Sequence, residues 1–185
     1  MRYNKFYINI ILVKKILVFL LLFFVSYSCN PISTKIKPSE SIECPPVFFA
    51  AEDRNYFKSN NDQKILVENI AYKAEINNYA FTQPCFIRNN SYYFSLGVLL
   101  IVDPINIISP DISLPVYVAL LDDSNHIIDM QYFSVDGLIE KTSDNEQYLQ
   151  KEISKILNFN LPSSFIVNNI VIGFMLNKKQ KEFLN

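Results

Sequence analysis

Tyr92-Tyr93-Phe94-Ser95-Leu96-Gly97-Val98-Leu99-Leu100-Ile101-Val102 is the stretch on which the fold turns. Phe94, Leu96, Val98, Leu100 and Val102 recur with period two, so they share one face of an extended strand. The opposite face opens with Ser95 and Gly97 and turns apolar at Leu99 and Ile101. A strand apolar on one face and half apolar on the other is a central one, mostly covered.

The pattern repeats on both sides of this segment. In Glu68 to Asn77, Ile70, Tyr72, Ala74 and Ile76 alternate with Asn69, Lys73, Glu75 and Asn77, which predicts a half-buried strand. Asp103-Pro104 and Ser109-Pro110-Asp111 bracket a loop, because proline interrupts a ladder and Asp or Ser initiates turns. Leu114 to Leu121 and His126 to Phe133 are apolar-rich runs joined by Asp122-Asp123-Ser124-Asn125, a hairpin signature, and Pro115 places the first run at an edge or a strand start. Ile170, Ile172, Phe174 and Leu176 mark a last strand within Ile166 to Leu176. Between Ser143 and Asn160 local rules conflict. Ser143 with Glu146 forms a capping box and Leu149, Ile153, Ile156 and Leu157 recur at helical spacing, yet Ile153 to Leu161 also alternates. Six or seven strands with few helices predict an all-β chain, an antiparallel β-sandwich of immunoglobulin-like type preceded by a short N-terminal signal helix.

That signal is the second decisive feature. Arg2, Lys5, Lys14 and Lys15 precede an apolar block, Ile16 to Val25, which runs into Ser26-Tyr27-Ser28-Cys29. A basic start, an apolar region and small residues at a cut site make an export signal. A thiol at the cut can carry a diacylglyceryl group, and each buried methylene adds about 0.8 kcal/mol, so Cys29 is the expected lipidation site. Ser26 stands where a lipoprotein box prefers Leu, and the same serines also suit the ordinary secretory peptidase; a segment Ile8 to Val25 left uncut as a membrane anchor is the third alternative. The expected division is signal peptide 1–28, tether 29–43, sandwich domain 44–176 and a short charged C-terminal tail 177–185. With Cys29 acylated, Cys44 and Cys85 remain as one pair for a disulfide in an oxidising compartment; two free buried thiols are the alternative.

Four of the 17 basic residues and none of the 18 acidic ones precede Cys29, leaving 13 against 18 afterwards. An acidic domain with no basic stripe excludes nucleic acid as a partner. Only Gly97, Gly137 and Gly173 occur, so no glycine-rich phosphate cradle can be written. His126 is the single histidine and sits at the hairpin turn, where it reads as a solvated turn residue. Asp122, Asp123 and Asn125 offer oxygen ligands without calcium-loop spacing and read as turn chemistry. Glu52, Asp53 and Arg54 form a charged cluster with no assignable partner carboxylate. Tyr92, Tyr93, Phe94, Tyr117, Tyr132 and Phe133 can line a ligand cleft, although strand spacing favours core and cross-strand pairs. No catalytic residue, metal site or cofactor is expected.

Cys44-Pro45, Cys85 after Ala80-Phe81, the strand Leu114-Pro115-Val116-Tyr117-Val118-Ala119, and Leu161-Pro162 leading to Ile170-Val171-Ile172-Gly173-Phe174 stand in an order that resembles a family of alphaproteobacterial, Rickettsia-like lipoproteins of unknown function. The resemblance spans Cys44 to the C-terminus and implies a strand over Ile153 to Leu161; Ser163 departs from the family's usual second proline or glycine. It brings no activity with it. The expectation is a non-enzymatic protein of the bacterial envelope, held to a membrane by acyl chains and facing the periplasm. Its sandwich would bind a protein partner through an exposed edge or an apolar face. The alternative is a small-molecule or lipid carrier using an aromatic cleft.

Overall fold

A computed structural model describes residues 39–61, 64–141 and 147–184, so the signal region and Cys29 lie outside the described residues. Two sheets face each other. The large sheet contains β1 (Glu40–Ile42), β3 (Asn55–Ser59), β4 (Ile70–Phe81), β5 (Cys85–Arg88), β6 (Ser91–Pro104) and β9 (Lys151–Pro162). The small sheet contains β2 (Val47–Phe49), β7 (Asp111–Leu121), β8 (Ile127–Leu138) and β10 (Asn169–Phe174), in the order β2-β10-β7-β8. A short helix, α1 (Lys178–Leu184), ends the chain.

The decisive stretch is the axis of the large sheet. β9 runs antiparallel along one side of β6 from Ser91↔Pro162 to Val102↔Lys151, while β4 and β5 lie end to end along the other. Phe94, Leu96, Val98, Leu100 and Val102 all face inward and are buried. They meet Leu114, Val116, Val118 and Leu120 of β7 and Ile170, Ile172 and Phe174 of β10, all fully buried. Each such side chain removed from water stabilises the fold by about 1.5–3 kcal/mol before entropy is counted. Connectivity locks the layers. The chain crosses between sheets from β6 to β7 and again from β9 to β10, and β6 pairs with β9 while β7 pairs with β10. Neither crossing pair can separate without breaking a ladder in both sheets.

The structure revises the sequence reading at several points. Ten strands are present among the described residues, against an expected six or seven; β1, β2, β3 and β5 span three to five residues each, too few for a period to show. The stretch read as tether, 29–43, includes β1, so the large sheet starts at Glu40 and not after residue 43. β4 continues past Asn77 because the register shifts between Ile76 and Asn78; the extra residue breaks the alternation, and Tyr79 and Phe81 then pack against the core. The ladders are antiparallel except for one: β2 runs parallel to β10. Pro115 lies inside an inner strand, not at an edge or a strand start. Its carbonyl accepts from Met175 N at 2.9 Å, just beyond β10's last residue, so its missing N–H coincides with the end of that ladder. Ile153 to Leu161 is strand, as the alternation and the resemblance implied, whereas Ser143 and Glu146 lie outside the described residues.

Cys44 and Cys85 form a disulfide with Cα atoms 5.2 Å apart, and Cys85 is fully buried. It fastens the segment between β1 and β2 to β5 across a sequence separation of 41. On the chain-entropy model a closed loop of that length stabilises by about 3–4 kcal/mol. Cys44→Ala/Cys85→Ala is expected to lower the unfolding free energy by about that amount, measured by urea titration; an unchanged midpoint would show that the reduced chain is already constrained there.

Candidate interaction surface

The central outward side chains of the small sheet form a surface without charge, bordered on the same side by Asp111 and by Asp136 with Ser113 and Ser134. On β7, Pro115, Tyr117 and Ala119 alternate with the core-facing Leu114, Val116 and Val118, and so lie on the outer side, where Pro115 and Tyr117 are half-buried and the small Ala119 is buried. Register aligns Phe48, Val171, Ala119 and Met130 in one row across four strands, and Gly173, Tyr117 and Tyr132 in the next. Phe48 is 53 % exposed, Tyr132 59 % and Met175 45 %. An antiparallel sheet with one face on a core normally turns polar residues to water. This one presents aromatic and aliphatic groups there, and a contiguous exposed apolar face marks an interaction site.

Gly173 shapes the middle of the face. A Cβ at this position would lie 2.7 Å from Cζ and Oη of Tyr117, so the tyrosine ring reaches across the glycine only because no side chain stands there. The ring ends at the turn after β2, where Tyr117 Oη donates to Asp53 Oδ2 at 2.8 Å. Asp53 is itself held by its backbone carbonyl, which accepts from Phe174 N at 2.7 Å. Burial, and then the Asp53 carboxylate, push the Tyr117 phenol above its ordinary range. At the other margin Tyr132 Oη donates to Met130 Sδ at 3.1 Å, which fixes the exposed ring against the sheet.

A second concavity, about 430 Å³, lies on the outer face of the large sheet over Gly97, between Ala80, Leu99 and Ile156. Beside it Ser95 Oγ of β6 donates to Asn158 Oδ1 of β9 and lies 2.8 Å from Oγ1 of Thr82, just past the end of β4. These groups satisfy one another.

The residues singled out by sequence are scattered. The aromatic set does not line one cleft: Phe94 stacks on Phe159 in the core, Tyr93 stacks on Phe86 on the outside of the large sheet, and Tyr117 and Tyr132 lie on the outside of the small one. Each strand sends alternate rings to opposite faces, which separates neighbours in sequence by the thickness of a sheet. His126 is exposed at the hairpin turn, with Nδ1 3.5 Å from Asp122 Oδ2. Asp122 accepts from the backbone N–H of His126 and of Ser124, bonds that lower its pKa, and Asn125 takes a positive φ of 62°. Asp122 and Asn125 thus perform turn chemistry, as expected. In the Glu52–Asp53–Arg54 cluster, Asp53 serves Tyr117, while Arg54 pairs with Glu75 at 3.1 Å and covers the Phe49 ring. Among the described residues no three His, Cys, Asp or Glu side chains converge as a metal site would require, and no helix is long and apolar enough to cross a membrane.

The apolar face is not among the sites that residue type alone singles out, because it depends on which strands become neighbours. Its signal is the unbroken run Leu114-Pro115-Val116-Tyr117-Val118-Ala119-Leu120-Leu121, which is apolar at odd and even positions alike.

Three phenols titrate late in the folded protein. Burial raises Tyr56 and Tyr117, and pushes Tyr72 up to about 12. The unfolded chain loses these protons near pH ~10, so their contribution to stability is intact below that pH and disappears as pH rises through the folded values. Tyr117→Phe should therefore soften the alkaline loss of stability, and Asp53→Asn should lower the Tyr117 pKa while leaving it above the ordinary value; ultraviolet titration and urea midpoints between pH ~8 and ~12 test both, and identical alkaline slopes in wild type and Tyr117→Phe would refute the assignment.

No family model, no curated protein and no solved structure matches this chain.

Proposed function

We propose that this chain is a non-enzymatic lipoprotein of the bacterial envelope, anchored through acyl chains on Cys29, whose β-sandwich binds a protein partner. The apolar outer face of the small sheet carries the reading: its exposed groups, Phe48, Tyr132 and Met175, gain by being covered. The export pattern ending at Cys29 and the resemblance to envelope lipoproteins support the address, and the Cys44–Cys85 disulfide suits an oxidising compartment.

Of the two routes to a partner, the face is favoured over the edges. On β9, which pairs only with β6, Lys155 shares the core side with Ile153 and Leu157, and an inward-pointing lysine on an edge strand discourages strand addition. Asn160 O on the same strand accepts from Gln131 Nε2 of β8 at 2.9 Å. The β3 edge is covered by α1, where Gln180 Nε2 donates to Phe57 O at 3.2 Å and Phe183 packs on Phe57. The carrier alternative draws no comparable support, because the aromatic residues it needs lie on three different surfaces.

The topology is proposed to be immunoglobulin-like. Its support is the double crossing of β6-β7 and β9-β10, which pairs strands three apart in sequence in both sheets, together with a first small-sheet strand running parallel to the last strand.

Intact-mass spectrometry of the membrane fraction, without reduction, tests the address. The native chain should carry the mass of a diacylglyceryl group that Cys29→Ser lacks; an unmodified mass in both would remove the lipoprotein reading.

A further inference from the structure

We infer that the partner received by the small sheet's outer face is a basic amphipathic segment, an α-helix whose apolar stripe is flanked by Lys or Arg; the inference rests on the reading of that face as the interaction surface. Charge carries the argument. The four strands of the small sheet and the 122–126 turn contain Asp111, Asp122, Asp123, Asp129 and Asp136 and no Lys or Arg, and none occurs anywhere between Arg88 and Lys141. Asp136 and Asp122 stand around the apolar rows, whereas Asp129, opposite the buried Leu120 and bonded to Gln131, is turned to the inner side of β8. Asp136 lies near the end of the β7–β8 ladder where Ser113 and Ser134 donate to it, at 2.8 and 2.9 Å; those bonds and, more weakly, the Lys155 charge from β9 keep it ionised, so it is the rim carboxylate with a basic neighbour already in place. Asp122 lies beyond the opposite end of β7, and Asp53 stands on the β2 side, against Tyr117. Positive groups that flank an apolar stripe would meet this arrangement on several sides.

Size narrows the class further. Four strands at about 4.8 Å spacing, the two rows and the neighbouring Met175, Pro115 and Ser134 give a face of about 300–400 Å². A helix about 10–12 Å across covers such a face with one side. A stable dimer needs about 800 Å² per partner, and a second copy of this chain would bring acidic rims together. An anionic lipid surface meets the same repulsion.

The test uses the full chain in nanodiscs of neutral phosphatidylcholine and two synthetic peptides of about 18 residues, five helical turns. One is a Leu/Lys amphipathic helix and the other carries Glu at every Lys position. The Lys peptide should bind about tenfold or more tighter, and the preference should shrink as ionic strength rises from about 0.05 to about 0.5 M. Tyr132→Ser, neutral and at an exposed position, should weaken the Lys peptide about fivefold or more while leaving the thermal midpoint unchanged. Equal affinity for both peptides, each weakened by Tyr132→Ser, would overturn the basic partner and leave the surface reading standing. No effect of Tyr132→Ser on either peptide would overturn the surface reading and this inference with it. Slowed hydrogen exchange over 115–119 and 130–134 in peptide-free discs, relative to the lipid-free chain, would mean that lipid covers the face and would also overturn it.

Discussion

Every layer of this fold refers back to the pairing of β6 with β9. The ladder is the longest among the described residues, from Ser91↔Pro162 to Val102↔Lys151, and joins residues about sixty positions apart in sequence. Its inward residues, Leu96 against Leu157 and Phe94 against Phe159, are buried on the same side. Because β6 and β9 each hand the chain to a strand of the other sheet, their register also sets that of β7 against β10. A one-residue slip would turn Leu157 and Phe159 to solvent and Asn158 into the core. Hydrophobic alternation thereby fixes topology as well as burial.

Long strands were legible and short ones were not. β4 and β6 bury the residues that their alternation selected, and β10 buries Ile170, Ile172 and Phe174 but ends before the half-buried Leu176, since four or five positions at period two leave little room for another reading. β9 was ambiguous because Ile153, Ile156 and Leu157 satisfy helical spacing too; the partner strand decides, and Ile156 ends on the outer face, 53 % exposed. β1 and β2 are three-residue strands held by their neighbours and by the adjacent disulfide, constraints that no local window contains. The end of β4 was lost at a bulge, where one extra residue inverts the alternation.

The surface was legible in a different sense. Glu52, Asp53, Arg54, His126 and the aromatic residues attracted attention by type, yet chemistry depends on convergence, and alternate strand positions send side chains to opposite sides of a sheet. The residues that form the apolar face, Phe48, Tyr117, Tyr132, Val171 and Met175, come from four separate segments and become neighbours only through register. Their common property, the absence of charge, was visible in the run from Leu114 to Leu121. What brings them together was not.

The disulfide has a mechanical meaning. A pull applied at the N-terminal end of the described chain reaches β1 first, whose three paired positions with β5 can peel one after another. At Cys44 the load passes into a covalent bond and is delivered to Cys85, at the start of β5. β5 lies against β6, so tension is carried into the central strand of the large sheet and spread along its ladder with β9. The short β2, with three paired positions of its own, lies beyond that junction and is shielded from the force. A pull from this end would therefore meet the molecule at its most extensively hydrogen-bonded strand, and the apolar face would keep its shape under load.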